Sequence, residues 1–416
     1  MTLSEELQWR GFVQQTTFKN LNELDKRKWT FYHGFDASAD SQTVGNLAAM
    51  MFDKVFIRHG HKAILLAGGA TSLVGDPGGK DKERPLQDEA VIASNVKKAE
   101  AQLKQIFGKE SFTLVNNLDW TKNLTLLDFL RDIGKHFSMT PLVQRDYIAQ
   151  RIGEGGAGIS FTEFSYTLLQ GMDFLHLFDK HGATLQLGGS DQWGNCLSGV
   201  ELIRKTRGEE AHVITLPLII NKATGKKFGK SEEGAVWLDS TKTSPFKFYQ
   251  FWINADDGGV EDYLKVYTEL DKDTIDSLMI EHKNNPGSRA AQKRLAYEVT
   301  KIVHGDDRAE SVKSVSEVLF GGMPYSSLNA GAFKELETEL PVYEAKLNET
   351  TLVDIILGGN LASSKTEARR FLEENAIYIN GAQIPLSKNC LDEHDNIQGY
   401  AVVRRGKNAS VLVKLN

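Results

Sequence analysis

Through the first half of the chain, short runs of β-branched and aromatic residues alternate with segments whose apolar positions recur at helical spacing. Strands are expected at residues 29–35, 63–67, 112–116, 184–187 and 212–220, and helices at 46–59, 90–107, 124–133, 161–180 and 192–207. Strands separated by helices pair in parallel, so the pattern predicts an α/β fold with a Rossmann-type parallel-sheet domain over 1–220. From 244 to about 320 the strand signal disappears, and Tyr263, Leu264, Leu278, Ala290, Leu295, Val299 and Val303 fall at spacings suited to buried helix faces. An all-helical domain is expected over 221–322, entered through a Gly- and Lys-rich loop. Gly321-Gly322-Met323-Pro324 closes it, and the polar, acid-rich residues 323–349 read as a linker. A small α+β unit over 350–416 follows, with helical segments near 352–357 and 364–374 and strands at 376–379, 400–404 and 410–415.

A length of 416 residues suggests about three domains, which agrees with that division. The net charge of −6 excludes a chain that attracts nucleic acid as a whole, so any RNA contact must come from a local basic patch. Cys196 and Cys390 have no CxxC spacing, which argues against a disulfide framework or a thiolate zinc site and fits a reducing cytoplasm. The start, Met1-Thr2-Leu3-Ser4-Glu5-Glu6-Leu7, carries acids and no apolar run, so neither a signal nor a transit peptide is expected, and no stretch is apolar enough to span a bilayer. The histidines lack metal-binding spacing; His33, His59 and His61 read as structural and no protein-bound metal is expected.

Five segments carry candidate chemistry. Lys227-Phe228-Gly229-Lys230-Ser231 sets two ammonium groups around a glycine on the loop after an apolar run, where they can follow charge moving between phosphate oxygens; an exposed basic turn is the plainer alternative. Residues 32–46 leave a strand through a hydroxyl-rich turn and enter a helix, whose free N–H groups and dipole attract phosphate; an ordinary Asp/Ser N-cap turn is the alternative. Residues 75–84 bring Lys80 and Arg84, either pyrophosphate contacts or a solvated charge run. Gly188-Gly189-Ser190-Asp191-Gln192 lets a flat ligand approach and then offers a carboxylate suited to ribose hydroxyls. On the helix before it, Tyr166, Gln170 and Asp173 fall at i, i+4 and i+7 amid Phe164, Leu168, Leu169, Phe174, Leu175 and Leu177, a polar stripe inside apolar mass that predicts a pocket.

These segments, with 159–166 and 243–254, resemble the bacterial-type tyrosyl-tRNA synthetases, a class I aminoacyl-tRNA synthetase family, from Glu6-Leu7-Gln8-Trp9-Arg10-Gly11 to the C-terminus. The resemblance implies a catalytic Rossmann-type domain, a helical anticodon-contacting domain and an S4-type RNA-binding domain. It implies an ATP-dependent ligase that joins tyrosine to tRNA(Tyr) in the cytoplasm as a homodimer, with Mg²⁺ carried by ATP. Lys227 to Ser231 matches the family's KMSKS loop. Tyr32 and Asp173 would bind the phenolic hydroxyl, and Asp76, Tyr166, Gln170 and Gln192 would hold the ammonium or order its network. Asp36, Ser38, Gly45, Gly189, Asp191 and Lys230 would serve ATP. Lys227, Lys230, Ser231, Thr43, Asn46, Lys80 and Arg84 would act on the reacting phosphates. Lys365, Arg369, Arg370, Arg404, Arg405 and Lys407 would contact RNA; between Tyr400 and Asn416 there is no acidic side chain.

One departure stands out. Where the family has His-x-Gly-His, this chain has Thr43-Val44-Gly45-Asn46, and Ala37-Ser38 replaces Pro-Thr. Thr43 has no ring N–H to offer a phosphate. That favours a second reading, a synthetase-like RNA-binding protein with impaired amino-acid activation, which the intact lysine loop opposes.

Overall fold

Five parallel strands and one antiparallel edge strand form the central sheet, in the order β1-β6-β5-β2-β3-β4. They are β1 (Gln15–Thr16), β2 (Thr30–Phe35), β3 (Lys62–Ala67), β4 (Phe112–Asn116), β5 (Leu185–Gly189) and β6 (His212–Leu216). The chain runs outward from β2 through β3 to β4, then returns to add β5 on the other side of β2. This reversal opens a crevice at the carboxyl ends of β2 and β5, the place where open α/β sheets bind ligands. Tyr32 pairs in register with both Ile64 and Gln186, so these three side chains share one face of the sheet.

The computed structural model describes residues 1–76, 87–231, 234–406 and 409–416, so Lys80, Arg84 and Lys407 lie outside the described residues. Residues 1–239 and 256–291 form one compact unit, and 240–255 with 292–416 another. In the first unit, α1 (Leu3–Arg10), α2 (Val44–Arg58), α3 (Gly69–Val74), α4 (Glu89–Phe107) and the long helices Phe161–His181 and Trp193–Arg207 surround the sheet. The two long helices approach closely because Gly199 faces Phe174; a Cβ there would fall 2.7 Å from the Phe174 Cβ. A short hairpin, β7 (Lys230–Ser231) and β8 (Gly234–Ala235), follows the lysine loop. The helices Val260–Tyr267 and Lys272–Asn284 belong to this same unit, although the sequence pattern groups them with the helical domain.

One expectation is met with a change of helix type, and one needs correction. Residues 124–133, expected as a helix, are helical from Leu126 onward, beginning as a short α-turn, Leu126–Asp128, and continuing through a π-helical segment, Phe129–Ile133, into a 3₁₀ turn, Gly134–His136. Phe129 and Ile133, four positions apart, are buried in the core, whereas Leu126, Leu127 and Leu130 are exposed. Residues 323–349, expected as a linker, contain the helix Ala330–Glu339 with Phe333 and Leu336 fully buried, and then β9 (Val342–Ala345). The acids of this helix take part in the packing: Glu335 is buried and pairs with Arg308, and Glu337 and Glu339 accept hydrogen bonds from Tyr400 and Ser244, which composition alone cannot separate from a solvated tether.

In the second unit the strands β10 (Ile377–Ile379), β11 (Ala382–Gln383), β12 (Tyr400–Arg405) and β13 (Ala409–Leu415) join β9 in the order β11-β10-β12-β13-β9. Helices Leu352–Gly358 and Lys365–Glu373 pack on this sheet through Leu352, Ile355, Ile356 and Ala368. This is the S4-like fold class expected for the C-terminal region.

Candidate active site

The crevice at the switch point is a cavity of about 470 Å³. Its wall brings together most of the sequence-predicted site residues within the described part of the first unit. From β2 and the turn after it come Tyr32 and Asp36, from the start of α2 come Thr43, Gly45 and Asn46, and from the loop after α3 comes Asp76. The helix Phe161–His181 contributes Tyr166, Gln170 and Asp173 on one face. The end of β5 and its turn add Gly189, Asp191 and Gln192, and Lys227 reaches in from the lysine loop. Ser38 does not line the cavity; its N–H and hydroxyl donate to Asp36 at 2.8 and 2.9 Å. The backbone of Lys230 and Ser231 forms β7.

At the inner end, Asp173 is buried, accepting hydrogen bonds from Asn117 Nδ2 at 2.9 Å and Trp120 Nε1 at 2.8 Å. Burial pushes its carboxyl up to about 7, against the downward pull of those two donors. Trp120 is itself held by stacking on His176, with ring centroids 4.3 Å apart. Facing this carboxylate, the Tyr32 hydroxyl is buried with no hydrogen-bond partner among the described residues, and burial raises its pKa well above the ordinary phenol value. Gln170 Oε1 and Gln186 Oε1 are also buried without partners. Buried polar groups in folded proteins are almost always satisfied, so such a cluster inside Leu66, Leu168, Met172 and Phe174 is shaped for a polar ligand atom.

Asn117, Trp120 and Gln186 were not among the expected site residues. Asn117-Leu118-Asp119-Trp120 follows β4 directly, and a polar and aromatic run at a strand's carboxyl end was the available signal. His33, read as structural, does pair with a buried group: its Nδ1 lies 2.7 Å from Asp53 Oδ1, and the residue also lines the cavity. His59 bonds Glu6 at 2.7 Å, and His61 Nδ1 accepts the Trp29 N–H at 3.0 Å.

The raised carboxyl of Asp173 has a consequence for stability. A carboxyl that binds its proton more tightly folded than unfolded lowers stability as pH rises from the unfolded value near 4 to the folded value near 7, and the full cost persists above that. Asp173→Asn should therefore stabilise the protein at pH 8 by a few kcal/mol more than at pH 4, as measured by urea denaturation at the two values. Equal effects at both would mean that Asp173 is ionised at ordinary pH without penalty.

At the outer end, backbone geometry dominates. The Thr43 N–H and hydroxyl both donate to Asn46 Oδ1, at 3.0 and 2.8 Å, so the Asn46 amide nitrogen is the donor left at this helix start. The lysine loop is seated over it. Gly229 has φ +96°, and a Cβ there would lie 3.3 Å from the Gly45 nitrogen, closer than nearly all real contacts. Phe228 is buried and stacks on Tyr263 with centroids 4.1 Å apart. Beyond it, Val44 N–H donates to the Val236 carbonyl at 3.0 Å. These anchors follow Lys227 in the chain and hold the loop where Lys227 lines the cavity. Gly188 and Gly189 leave room at the end of β5, where Cβ atoms would meet Cys196 Sγ at 3.3 Å and Asp191 Oδ1 at 2.6 Å.

In the second unit, the expected RNA contacts flank aromatic rings. Arg404 lies over Tyr378 at 4.9 Å, Arg405 over Phe371 at 4.9 Å, and Arg370 over the same ring at 5.3 Å. Lys365 pairs with Asp354 at 3.4 Å, and Arg369 is exposed.

Residues 24–321 match the family described as tRNA synthetases class I (W and Y), and 332–413 match the tyrosine--tRNA ligase SYY-like C-terminal domain. The tyrosine--tRNA ligase of Listeria monocytogenes serotype 4a (strain HCC23) is 43% identical over 421 residues, covering 99% of both chains. That of Bacillus caldotenax is 42% identical over 422 residues and covers both chains in full. A C-terminally truncated mitochondrial tyrosyl-tRNA synthetase from Aspergillus nidulans superposes with a TM-score of 0.69 at 32% identity, over 77% of this chain and 94% of its own. A cavity at the switch point, closed by a lysine loop and matched end to end by such relatives, places the chain in the tyrosyl-tRNA synthetase family of class I tRNA synthetases.

Proposed function

We propose that the protein condenses tyrosine with ATP to tyrosyl-adenylate and transfers the tyrosyl group to the 3′-terminal adenosine of tRNA(Tyr). The observation that carries this reading is the unpartnered Tyr32 hydroxyl facing the buried Asp173 carboxylate, a pair able to give one hydrogen bond to a phenolic oxygen and take one from it. Tyr166, Gln170, Asp76 and Gln192 hold the ammonium. The tyrosine carboxylate is already ionised at neutral pH, so no general base is needed. Its oxygen attacks the α-phosphorus, the bond to the β-phosphate bridge breaks, and pyrophosphate leaves with the Mg²⁺ that entered on ATP. A hydroxyl of the terminal adenosine then attacks the carbonyl and AMP leaves. Asp36, Gly189 and Asp191 face the adenylate, while Lys227, Lys230 and the start of α2 stabilise charge on the phosphates, together with Lys80 and Arg84. Arg404, Arg405, Arg370 and their neighbours contact tRNA phosphates, and the enzyme acts as a cytoplasmic homodimer. Tyrosine-dependent ATP–pyrophosphate exchange, followed by charging of tRNA(Tyr), tests the reading; absence of exchange with retained tRNA binding would leave the RNA-binding alternative.

That alternative draws on one feature, the mutual bonding of Thr43 and Asn46. A threonine hydroxyl committed to a neighbouring amide gives little to a departing phosphate. Thr43→His, alone or with Asn46→His, should raise the rate of adenylate formation by about tenfold, or about 1.4 kcal/mol, without tightening tyrosine binding, because a ring N–H at this turn meets charge that develops mainly in the transition state. Pre-steady-state adenylate formation at saturating tyrosine and ATP is the readout. A double mutant no faster than the parent would mean that the Thr43–Asn46 pair already forms a competent phosphate site.

A further inference from the structure

A line of side-chain hydrogen bonds runs into the cavity from a half-buried arginine that none of the functional assignments uses. Arg145 Nη1 donates to Thr167 Oγ1 at 3.1 Å, and the Thr167 hydroxyl donates to Asn195 Oδ1 at 2.7 Å. The same guanidinium nitrogen lies 3.4 Å from Asn195 Oδ1. Asn195 Nδ2 donates to Gln192 Oε1 at 3.1 Å, and Gln192 Nε2 donates to Asp76 Oδ2 at 2.6 Å. Arg145 also donates through Nη2 to Ser198 Oγ at 2.7 Å, so its side-chain partners among the described residues are hydroxyls and an amide.

We propose that Arg145 is a positioning residue for the amino-acid substrate: it sets the direction of this chain of donors, and thereby the orientation in which Asp76 meets the substrate ammonium. The proposal rests on the reading of Asp76 as an ammonium partner.

The physical reason lies in what each member is able to do. A guanidinium only donates and cannot lose its proton at ordinary pH, whereas an ionised carboxylate only accepts. The hydroxyl of Thr167 and the amides of Asn195 and Gln192 can each do both, and an amide turned end for end fits the same space. With a pure donor at one end and a pure acceptor at the other, one direction satisfies every link. The reverse direction would set the Asn195 N–H₂ against the guanidinium and the Gln192 carbonyl against the Asp76 carboxylate, two repulsive contacts in a partly buried site. Asn195 is buried, so these contacts would not be relieved by water. In the observed direction Gln192 occupies Asp76 Oδ2 by a short, charge-assisted bond and fixes how the carboxylate faces the cavity. The competing account is that Arg145 only braces the start of the helix Trp193–Arg207, where its side chain lies 3.5 Å from the position of a Gly194 Cβ.

Three ligands separate the two accounts. Tyrosine and tyramine carry the ammonium, and 3-(4-hydroxyphenyl)propionate carries the phenol and carboxylate without it. By calorimetry, Arg145→Met should weaken tyrosine and tyramine about tenfold, the weight of one hydrogen bond to a charged group, and change the propionate by less than about twofold. Arg145→Lys, which restores a pure donor, should recover most of the loss, and KM for ATP should stay within about twofold of the parent in both. Proportional weakening of all three ligands, or no change in any, would overturn the proposal in favour of the brace. Should Arg145→Met fail to fold, Asn195→Asp keeps Arg145 paired while placing an acceptor against Gln192 Oε1, so it should turn Gln192 around and produce the same ammonium-selective loss. Unchanged tyrosine affinity in that variant would also overturn the proposal. If the unsubstituted protein binds tyrosine no better than the propionate, the assignment of Asp76 itself falls, which is a separate result.

Discussion

Asp173→Ala is expected to lower kcat/KM for tyrosine by about 10²–10³-fold while leaving phenylalanine within severalfold, so that selectivity between the two nearly disappears. On the proposed reading, the unsubstituted pocket should reject phenylalanine because a bare ring leaves the Tyr32 hydroxyl and the Asp173 carboxylate without the phenolic oxygen that both need. Truncating Asp173 removes the costlier of these groups and also strands its two donors, Asn117 and Trp120. Tyr32→Phe removes only a neutral hydroxyl, so its loss should be about tenfold and in the same direction. Measuring kcat/KM for both amino acids in both variants gives the ratio directly. An unchanged ratio in Asp173→Ala would show that the phenolic hydroxyl lies elsewhere. Because Asp173→Asn should also be more stable at pH 8, loss of selectivity together with gained stability would mark the carboxylate as kept for function at the expense of folding.

How far the sequence revealed this site depends on how far each residue's role is local. The helix Phe161–His181 was legible because Tyr166, Gln170 and Asp173 repeat with its own period among apolar neighbours. The strand ends were legible where β2 and β5 run into polar or glycine-rich turns. Asn117, Trp120 and Gln186 were not, since their importance comes from what lies across the sheet: Gln186 reaches the cavity through its register with Tyr32, and register is a long-range property. The same holds for the His33–Asp53 pair, whose members are 20 positions apart on different elements. The misread residues 323–349 fail in the opposite sense. Phe333 and Leu336 carry a local helical signal, but four glutamates between positions 335 and 344 outweigh it in any judgement by composition.

Lys227→Ala should slow adenylate formation by about 10²–10³-fold and leave the tyrosine dissociation constant within about twofold of the parent, because the ammonium meets charge that appears on the phosphates only as pyrophosphate departs. The case rests on how the loop is held. Lys227 lines the cavity while Phe228 beside it is buried against Tyr263, and Gly229 sits on the first turn of α2 with a left-handed backbone that a side chain would strain. The lysine is thus carried by a fixed neighbour on one side, and its stem supplies the remaining freedom needed to track the leaving group. Phe228→Ala keeps the ammonium but loosens its seat, so it should cost the rate less, about tenfold, and lower the thermal midpoint as well, since it empties part of a buried aromatic cluster. Single-turnover adenylate formation, with tyrosine affinity measured separately, distinguishes the two variants. If Lys227→Ala raised the tyrosine dissociation constant as much as it slowed the chemistry, the ammonium would be holding the ground state, and the loop would be a binding clamp in place of a stabiliser of the transition state.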